Sequence, residues 1–129
     1  MDAFDSDVLI YAATERALGP AVLNAVRTGN EPMGSVLLLP ELLSHPMRNG
    51  AKAELDALLV LLGHLMLLPC DLATAELASE LGAIHRMRAA DAVHLATAVN
   101  AGADRFITNN RRDFPQSIEE IEVVYPEDL

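Results

Sequence analysis

A chain of 129 residues has the length of one compact domain, and we expect a single domain over residues 1–129. The sequence is 51% hydrophobic but contains no Trp and few other aromatic residues, so we expect an aliphatic core, which favours helices packed on a sheet. Nine basic and nineteen acidic residues give a net charge of −10, which counts against a module that holds DNA or RNA by broad neutralisation of phosphates.

The chain begins with a short apolar strand that we expect to end near Asp5, because the polar residues 5–7 interrupt the apolar pattern. A helix should follow at residues 20–27, where Ala, Leu and Val recur at helical spacing and a proline suits the first turn. A short aliphatic run at residues 33–39 predicts the second strand, and Glu41 then opens another helix.

The remainder of the chain continues to alternate helices with strands. In chain order, the predicted elements are a helix at residues 51–62, a strand at 65–68, helices at 71–84 and 89–101, and strands at 105–108 and 121–125. The helix at 89–101 has the clearest signal, because its apolar residues recur every three or four positions and Gly102 follows it. This alternation predicts an α/β fold with a parallel sheet covered by helices on both faces.

The cysteine content and the longest apolar run indicate the cellular compartment in which we expect the protein. Cys70 is the only cysteine, which is typical of a reducing compartment, and we expect it to pack as a small apolar side chain. Residues 1–5 lack the pattern of a secretory signal, and the longest apolar run, residues 57–62, is too short to span a bilayer. We therefore expect a cytoplasmic protein without membrane contact.

Acidic residues follow the predicted strands. Asp5 closes the first strand, Glu41 lies just after the second, and Asp113 lies in the loop beyond the fourth strand, which Thr108 closes. Asp91 lies in the first turn of the helix that leads into that fourth strand. Because ligands of open parallel sheets bind beyond the carboxyl ends of the strands, we expect these carboxylates to converge at one edge.

Each acidic residue also has a purely structural interpretation. An Asp after a strand often only forms a turn or a cap, which applies to Asp5 and Asp113. Glu41 and Asp91 lie in the first turns of predicted helices, where the helix dipole favours a negative side chain by about 0.3 to 1 kcal/mol. The apolar surroundings of Asp91 favour a shared cation, because a lone carboxylate among Ala and Val is costly to bury without a partner.

The candidate ligands are all oxygen atoms, and this determines the metal that we expect. Carboxylates with waters suit Mg²⁺ or Mn²⁺, whereas the sequence has no Cys-x-x-Cys or His-Glu-x-x-His pattern that would favour zinc. His94 follows Asp91 by three residues, and we expect it to pack or to hydrogen-bond a ligand. A cation held in this way would assist the attack of water on a phosphodiester.

Four segments of the chain resemble the motifs of PIN-domain nucleases, in particular those of the VapC-type toxins of toxin–antitoxin pairs. They are FDSDVLIYA at residues 4–12, PELL at 40–43, RAADAVHLATA at 88–98 and FITNNRRDF at 106–114. The resemblance spans nearly the whole chain, and its first and third segments are the specific ones. By position, it implies that Asp5, Glu41 and Asp91 are metal ligands and that Thr108 is the polar residue beside them.

The sequence departs from the family pattern in two places. The first motif usually reads Asp-Thr-Asn, whereas here it reads Asp5-Ser6-Asp7, which puts an extra carboxylate near the site. The fourth acidic position is often occupied by an Asp, whereas this chain has Asn110 there and Asp113 three residues later. We assign Asp113 as the fourth acid and Asn110 as a water or phosphate contact.

The resemblance also implies a fold and partners. It implies a three-layer α/β/α fold with a short central parallel sheet, a homodimer, RNA cleavage with Mg²⁺ or Mn²⁺, and inhibition by a cognate antitoxin. A basic antitoxin segment would be attracted by the net charge of −10. Arg111 and Arg112 are the only adjacent basic pair, so they are candidates for RNA-phosphate contacts, with a solvated turn as the equal alternative.

Two other functions compete with a nuclease. A phosphatase of the haloacid-dehalogenase class is suggested by Asp5-Ser6-Asp7, but that class needs a lysine near the phosphate, and the only lysine here is Lys52, in an amphipathic helix. A PIN-like scaffold that binds a protein and has lost its chemistry is suggested by Asn110. The first alternative predicts phosphomonoester turnover, and the second predicts tight antitoxin binding without cleavage.

Overall fold

The computed structural model describes residues 1–14 and 17–129. These residues form five strands, six helices and one short 3₁₀ turn, in the order β1 (Asp2–Phe4), α1 (Ser6–Ala13), α2 (Gly19–Thr28), β2 (Pro32–Ser35), α3 (Leu38–Asn49), α4 (Lys52–Leu62), β3 (Met66–Leu68), α5 (Leu72–His85), α6 (Ala89–Ala101), β4 (Arg105–Ile107), β5 (Glu122–Val124) and the 3₁₀ turn (Pro126–Asp128).

The described strands form one parallel sheet in the order β3-β2-β1-β4-β5. β1 is central, and its Ala3 is in register with Met33 of β2 on one side and with Phe106 of β4 on the other. The chain builds outward from β1 to β3 and then returns past β1 to build the other half. The strand order therefore reverses beside β1, and the carboxyl end of β1, where Asp5 follows, is the position at which such sheets bind ligands.

Apolar clusters cover the two faces of the sheet. Successive side chains of a strand point to opposite faces, so Phe4 and Ile107 belong to one cluster while Ala3 and Phe106 belong to the other. Helices α1 to α4 complete the first cluster, and α5 and α6 complete the second. The protein thus has the three-layer α/β/α fold with a short parallel sheet that the sequence predicted.

The core is less purely aliphatic than its composition predicted. All three phenylalanines, Phe4, Phe106 and Phe114, are fully buried, and the rings of Phe106 and Phe114 pack with their centroids 4.8 Å apart. Burying an aromatic ring removes a large apolar area from water, so a few such residues can occupy central positions among many aliphatic ones. The prediction for Cys70 was wrong, because this side chain is exposed in the loop between β3 and α5.

Local structure near the carboxyl edge differs from the predictions in two ways. Helix α1 begins directly after β1, in a segment for which the sequence predicted no helix, because Asp5 caps it by accepting a hydrogen bond from the Ser6 N–H at 2.8 Å. The second strand stops at Ser35 rather than continuing to residue 39, and α3 already begins at Leu38. Glu41 therefore lies in the first turn of α3 but is not its first residue.

Of the helices in the described part of the chain, none combines the length and the apolar character that crossing a bilayer requires.

Candidate active site

Asp5 directly follows β1 and is hydrogen-bonded to the end of the neighbouring strand β4. Its backbone N–H donates to the Ile107 carbonyl at 3.0 Å, and its Oδ2 accepts a hydrogen bond from the Thr108 hydroxyl at 2.8 Å. With Oδ1 occupied by the Ser6 N–H, both carboxylate oxygens have protein donors although the residue is only 4% exposed. Burial raises the pKa of the Asp5 carboxyl above its ordinary value, against the lowering effect of His94 and Thr108.

Glu41 and His94 join α3 to α6 beside Asp5. The Nε2 of His94 shares a hydrogen bond with Oε1 of Glu41, and the imidazole is almost completely buried while the Glu41 side chain is 34% exposed. Burial lowers the pKa of His94, but the hydrogen bond and charge of Glu41, followed by the charges of Asp5 and Asp91, raise it above its ordinary value. His94 thus hydrogen-bonds one of the predicted ligands, which is one of the two roles expected for it.

Asp91 brings an unsatisfied carboxylate oxygen to this edge. It lies in the first turn of α6, and its Oδ2 is buried without a hydrogen-bond partner among the described residues. Burial raises the pKa of Asp91, and repulsion from Asp113 adds to that rise, with Glu41 contributing in the same direction. A buried oxygen that lacks a donor is costly, so this atom is suited to a cation or a water molecule.

Asn110 and Asp113 are hydrogen-bonded partners rather than alternatives for one position. The Nδ2 of Asn110 donates to Oδ2 of Asp113 at 2.9 Å, and the Asp113 N–H donates back to Oδ1 of Asn110 at 3.2 Å. The Asn110 N–H also donates to the Thr108 hydroxyl oxygen at 3.0 Å. This chain of bonds extends from Asp5 through Thr108 to Asp113, so Asn110 positions the acid that follows it.

Asp7 is the extra carboxylate of the first motif, and it lies against the same loop. Its Oδ1 accepts a hydrogen bond from the Asn109 N–H at 3.2 Å. Burial and, after it, repulsion from Asp5 raise the pKa of Asp7 to about 6. Ser6 contributes its backbone N–H to Asp5.

The two adjacent arginines are in different situations. Arg111 pairs with Glu127 and lies over the ring of Tyr125, with its guanidinium carbon 4.4 Å from the ring centroid. It therefore fastens the loop after β4 to the end of the chain, a role that the sequence did not reveal. Arg112 is exposed and forms no ion pair within the part of the chain that the structure describes, so it keeps its charge available.

Arg88 is the residue near this edge that the sequence analysis missed. Its Nε lies 3.8 Å from Oδ2 of Asp91, and its Nη2 lies 3.6 Å from Oδ2 of Asp113. The sequence feature that could have identified Arg88 is its position three residues before Asp91, about one helical turn away. Lys52, by contrast, is exposed on α4 and pairs with Asp56 at 3.1 Å, which gives no support to a phosphate-binding lysine.

The donor set at the edge fits a hard divalent cation that keeps part of its water shell. The carboxylates of Asp5, Glu41, Asp91 and Asp113 offer only oxygen, and one of those oxygens lacks a partner. As the side chains are placed, no group of three or more Asp, Glu, His or Cys residues within residues 1–14 and 17–129 is positioned to hold a metal ion together. Mg²⁺ binds through one or two carboxylates and retains several waters, so the set is compatible with it.

Comparisons with known proteins agree with this geometry. A family model described as "PIN domain" matches residues 3–117. Among solved structures, a chain from a toxin–antitoxin complex of Klebsiella pneumoniae is similar with a TM-score of 0.82, 22% identity, and coverage of 100% of both chains.

Chains from two DNA-bound complexes are similar as well. VapBC2 from Rickettsia felis, bound to a promoter fragment, has a TM-score of 0.78 at 16% identity, with 96% of this chain and 97% of that chain covered. VapBC from Salmonella typhimurium has a TM-score of 0.78 at 17% identity, with 97% of each chain covered. A search of curated proteins found no match. The match over residues 3–117 shows that the chain belongs to the PIN domain family.

Proposed function

We propose that this protein is a divalent-metal-dependent endoribonuclease that acts in the cytoplasm as the VapC-type toxin of a toxin–antitoxin pair. PIN domains are generally nucleases, and the observation that carries the proposal is the cluster of acidic side chains at the carboxyl edge of the sheet. Asp5 and Asp91 repel each other, as do Asp91 and Asp113, and a buried oxygen of Asp91 lacks a donor. Such a cluster gains free energy from a bound cation.

We assign Asp5, Glu41 and Asp91 as the residues that hold Mg²⁺ or Mn²⁺, with Asp113 as the fourth acid. The cation would neutralise charge on the scissile phosphate and lower the pKa of an attacking water. Thr108 and the Ser6 N–H orient the Asp5 carboxylate, so its lone pairs are held in place before any ligand binds. His94 likewise orients the carboxylate of Glu41 through the hydrogen bond that they share.

The charge of the chain and the similar solved structures support the partners that we propose. The relatives are components of toxin–antitoxin complexes, and we propose that this chain likewise binds a cognate antitoxin and forms a homodimer. A net charge of −10 favours a basic antitoxin segment and disfavours broad binding of RNA. RNA would then bind locally, at the cation and at exposed arginines such as Arg112. Mutation of Arg112 can test whether this side chain contributes to RNA binding.

A cleavage assay with an isosteric variant tests the proposal. The purified chain, freed of antitoxin, should cleave structured RNA in Mg²⁺ or Mn²⁺, and Asp91→Asn should abolish cleavage, because the amide cannot replace a charged ligand. Asp56→Asn is the matched control, since Asp56 is exposed on α4 and pairs only with Lys52 among the described residues. Cleavage that survives Asp91→Asn would contradict the assignment.

A scaffold without chemistry remains the second candidate, because Asn110 occupies the position of the usual fourth acid. The hydrogen bond from Asn110 to Asp113 weakens this alternative, since it keeps a carboxylate at the same edge. The two candidates differ in one measurement: the scaffold binds antitoxin tightly and cleaves no RNA with any metal.

A further inference from the structure

Arg88 spans two acidic residues of the candidate site with one guanidinium group. Its Nε is 3.8 Å from Oδ2 of Asp91 and its Nη2 is 3.6 Å from Oδ2 of Asp113. Within residues 1–14 and 17–129, no other basic side chain lies at ion-pair distance from either carboxylate. Arg88 is thus the counter-ion of both acids at once.

Arg88 attracts the two carboxylates electrostatically but does not donate a hydrogen bond to their oxygens. Both separations exceed the length of a hydrogen bond, and Oδ2 of Asp91 has no hydrogen-bond donor among the described residues. The Arg88 side chain is itself 84% exposed, so its long stem is held by little other than the two charges. A group held in this way can move aside at small cost when a stronger cation arrives.

The position of Arg88 puts its guanidinium in competition with a cation that binds at Asp91 or Asp113. It immediately precedes α6, and the helix begins with no side-chain hydrogen bond from Arg88, so the guanidinium is not needed to cap the helix. A divalent ion that used the free oxygen of Asp91 would place two positive charges beside the guanidinium. Two cations that share the same pair of carboxylates repel each other, and the compact doubly charged ion gains more from the pair.

We propose that Arg88 is the resident counter-ion of the Asp91–Asp113 pair, that a divalent cation must displace it to bind, and that Arg88 therefore lowers the affinity of the site for metal. This rests on the proposed function only in requiring that a cation binds at these carboxylates. Arg88 acts through the two acids and is a positioning residue, not a catalytic one.

The test is the dissociation constant of Mn²⁺, measured by isothermal titration calorimetry on the full chain without RNA at low ionic strength. Arg88→Gln should bind Mn²⁺ about three- to tenfold more tightly than the unaltered chain, because one competing charge is removed. Arg88→Lys keeps the charge and should stay within about twofold of the unaltered chain. The gain in Arg88→Gln should shrink in 0.5 M salt, since the effect is electrostatic.

Arg86→Gln is the matched control, because Arg86 lies two residues earlier and has no ion pair in the described part of the chain. It removes the same charge and should change the dissociation constant by less than about twofold. The proposal is overturned if Arg88→Gln binds Mn²⁺ with the same dissociation constant as Arg86→Gln, or more weakly than the unaltered chain. If neither the unaltered chain nor Arg88→Gln binds Mn²⁺, the metal site of the proposed function fails together with this inference; if both bind equally, only this inference fails.

Discussion

The imidazole of His94 hydrogen-bonds the carboxylate of Glu41 and so joins α6 to α3 beside the carboxyl end of β1. The two residues are 53 positions apart in the chain, and neither has another hydrogen bond among those described for the side chains. This contact turns a half-exposed glutamate on one helix into a defined part of a site whose other acids come from different elements.

His94→Leu should impair cleavage without unfolding the protein. Losing the bond leaves Glu41 free to rotate into solvent, and loss of such an orienting partner typically lowers metal affinity or activity by about 10- to 100-fold. We expect kcat/KM for RNA to fall in that range, and His94→Gln, which keeps a donor, to recover part of the loss. His45→Gln on the exposed side of α3 is the control and should cleave as the unaltered chain does; equal activity in His94→Leu would contradict the orienting role.

Thr108→Val should destabilise the fold. The substitution removes the hydroxyl that donates to Oδ2 of Asp5, leaving a buried carboxylate oxygen without that donor, and it also removes the acceptor of the Asn110 N–H. We expect a loss of about 1–3 kcal/mol in the free energy of unfolding, measured with urea. Thr108→Ser retains the hydroxyl and should lose much less; a Thr108→Val protein as stable as Thr108→Ser would show that this bond contributes little.

Asp7→Asn should stabilise the metal-free protein at neutral pH. The pKa of Asp7 is about 6 in the folded protein against 3.8 for a free side chain, so its charge is disfavoured in the folded state. Stability of the unaltered chain should therefore decline as pH rises from about 4 to 6 and stay at the lower level above that. The Asn variant lacks this penalty.

The expected gain from Asp7→Asn is about 1–2 kcal/mol at pH 7.5 in EDTA, after allowance for solvent screening. Most of it should be lost near pH 4, because Asp7 is almost fully protonated there in the folded state and a free side chain with a pKa of 3.8 is only about half ionised. Urea unfolding at both pH values measures the difference. A gain that is the same at pH 4 and pH 7.5 would mean that the raised pKa of Asp7 is not its cause.

Some of the fold was predictable because it depends on local pattern. The five strands, their parallel arrangement and the helix at 89–101 follow from apolar periodicity and from alternation of elements, and Gly102 ends α6 with a positive φ of 77°. Helix α1 was missed because its start depends on Asp5 acting as a cap, whereas the residues after it, Val8 to Tyr11, have high strand propensity.

The acidic residues of the site could be predicted from the sequence, but the hydrogen bonds and ion pairs that connect them could not. That Asp5, Glu41 and Asp91 meet at one edge follows from the positions of the strands and helices. The side-chain contacts could not be predicted, because they depend on side-chain directions in the folded chain, which sequence spacing does not give. These contacts are His94 with Glu41, Arg88 with two acids, and Asn110 with Asp113.

Asp2, the first residue of β1, is an acidic residue with a structural role. It lies at the opposite end of β1 from Asp5, is 2% exposed, and accepts two hydrogen bonds from Arg105, at 3.0 and 2.7 Å. Arg105→Gln should therefore cost about 2–4 kcal/mol of unfolding free energy, because it leaves a buried carboxylate without its counter-ion. At a temperature where the variant is folded, RNA cleavage per folded molecule should be unchanged; a selective loss of cleavage would contradict a purely structural role.

We propose that RNA cleavage requires a divalent cation bound at the carboxylate edge of the sheet. The most direct test of this proposal is metal depletion and return: the antitoxin-free protein is treated with EDTA, dialysed, and assayed for RNA cleavage while Mg²⁺ or Mn²⁺ is titrated back, in parallel with Asp91→Asn. We predict no cleavage after depletion, recovery that saturates with metal in the unaltered chain, and no recovery in Asp91→Asn. Cleavage that persists in EDTA, or recovery that is the same in both proteins, would contradict the account.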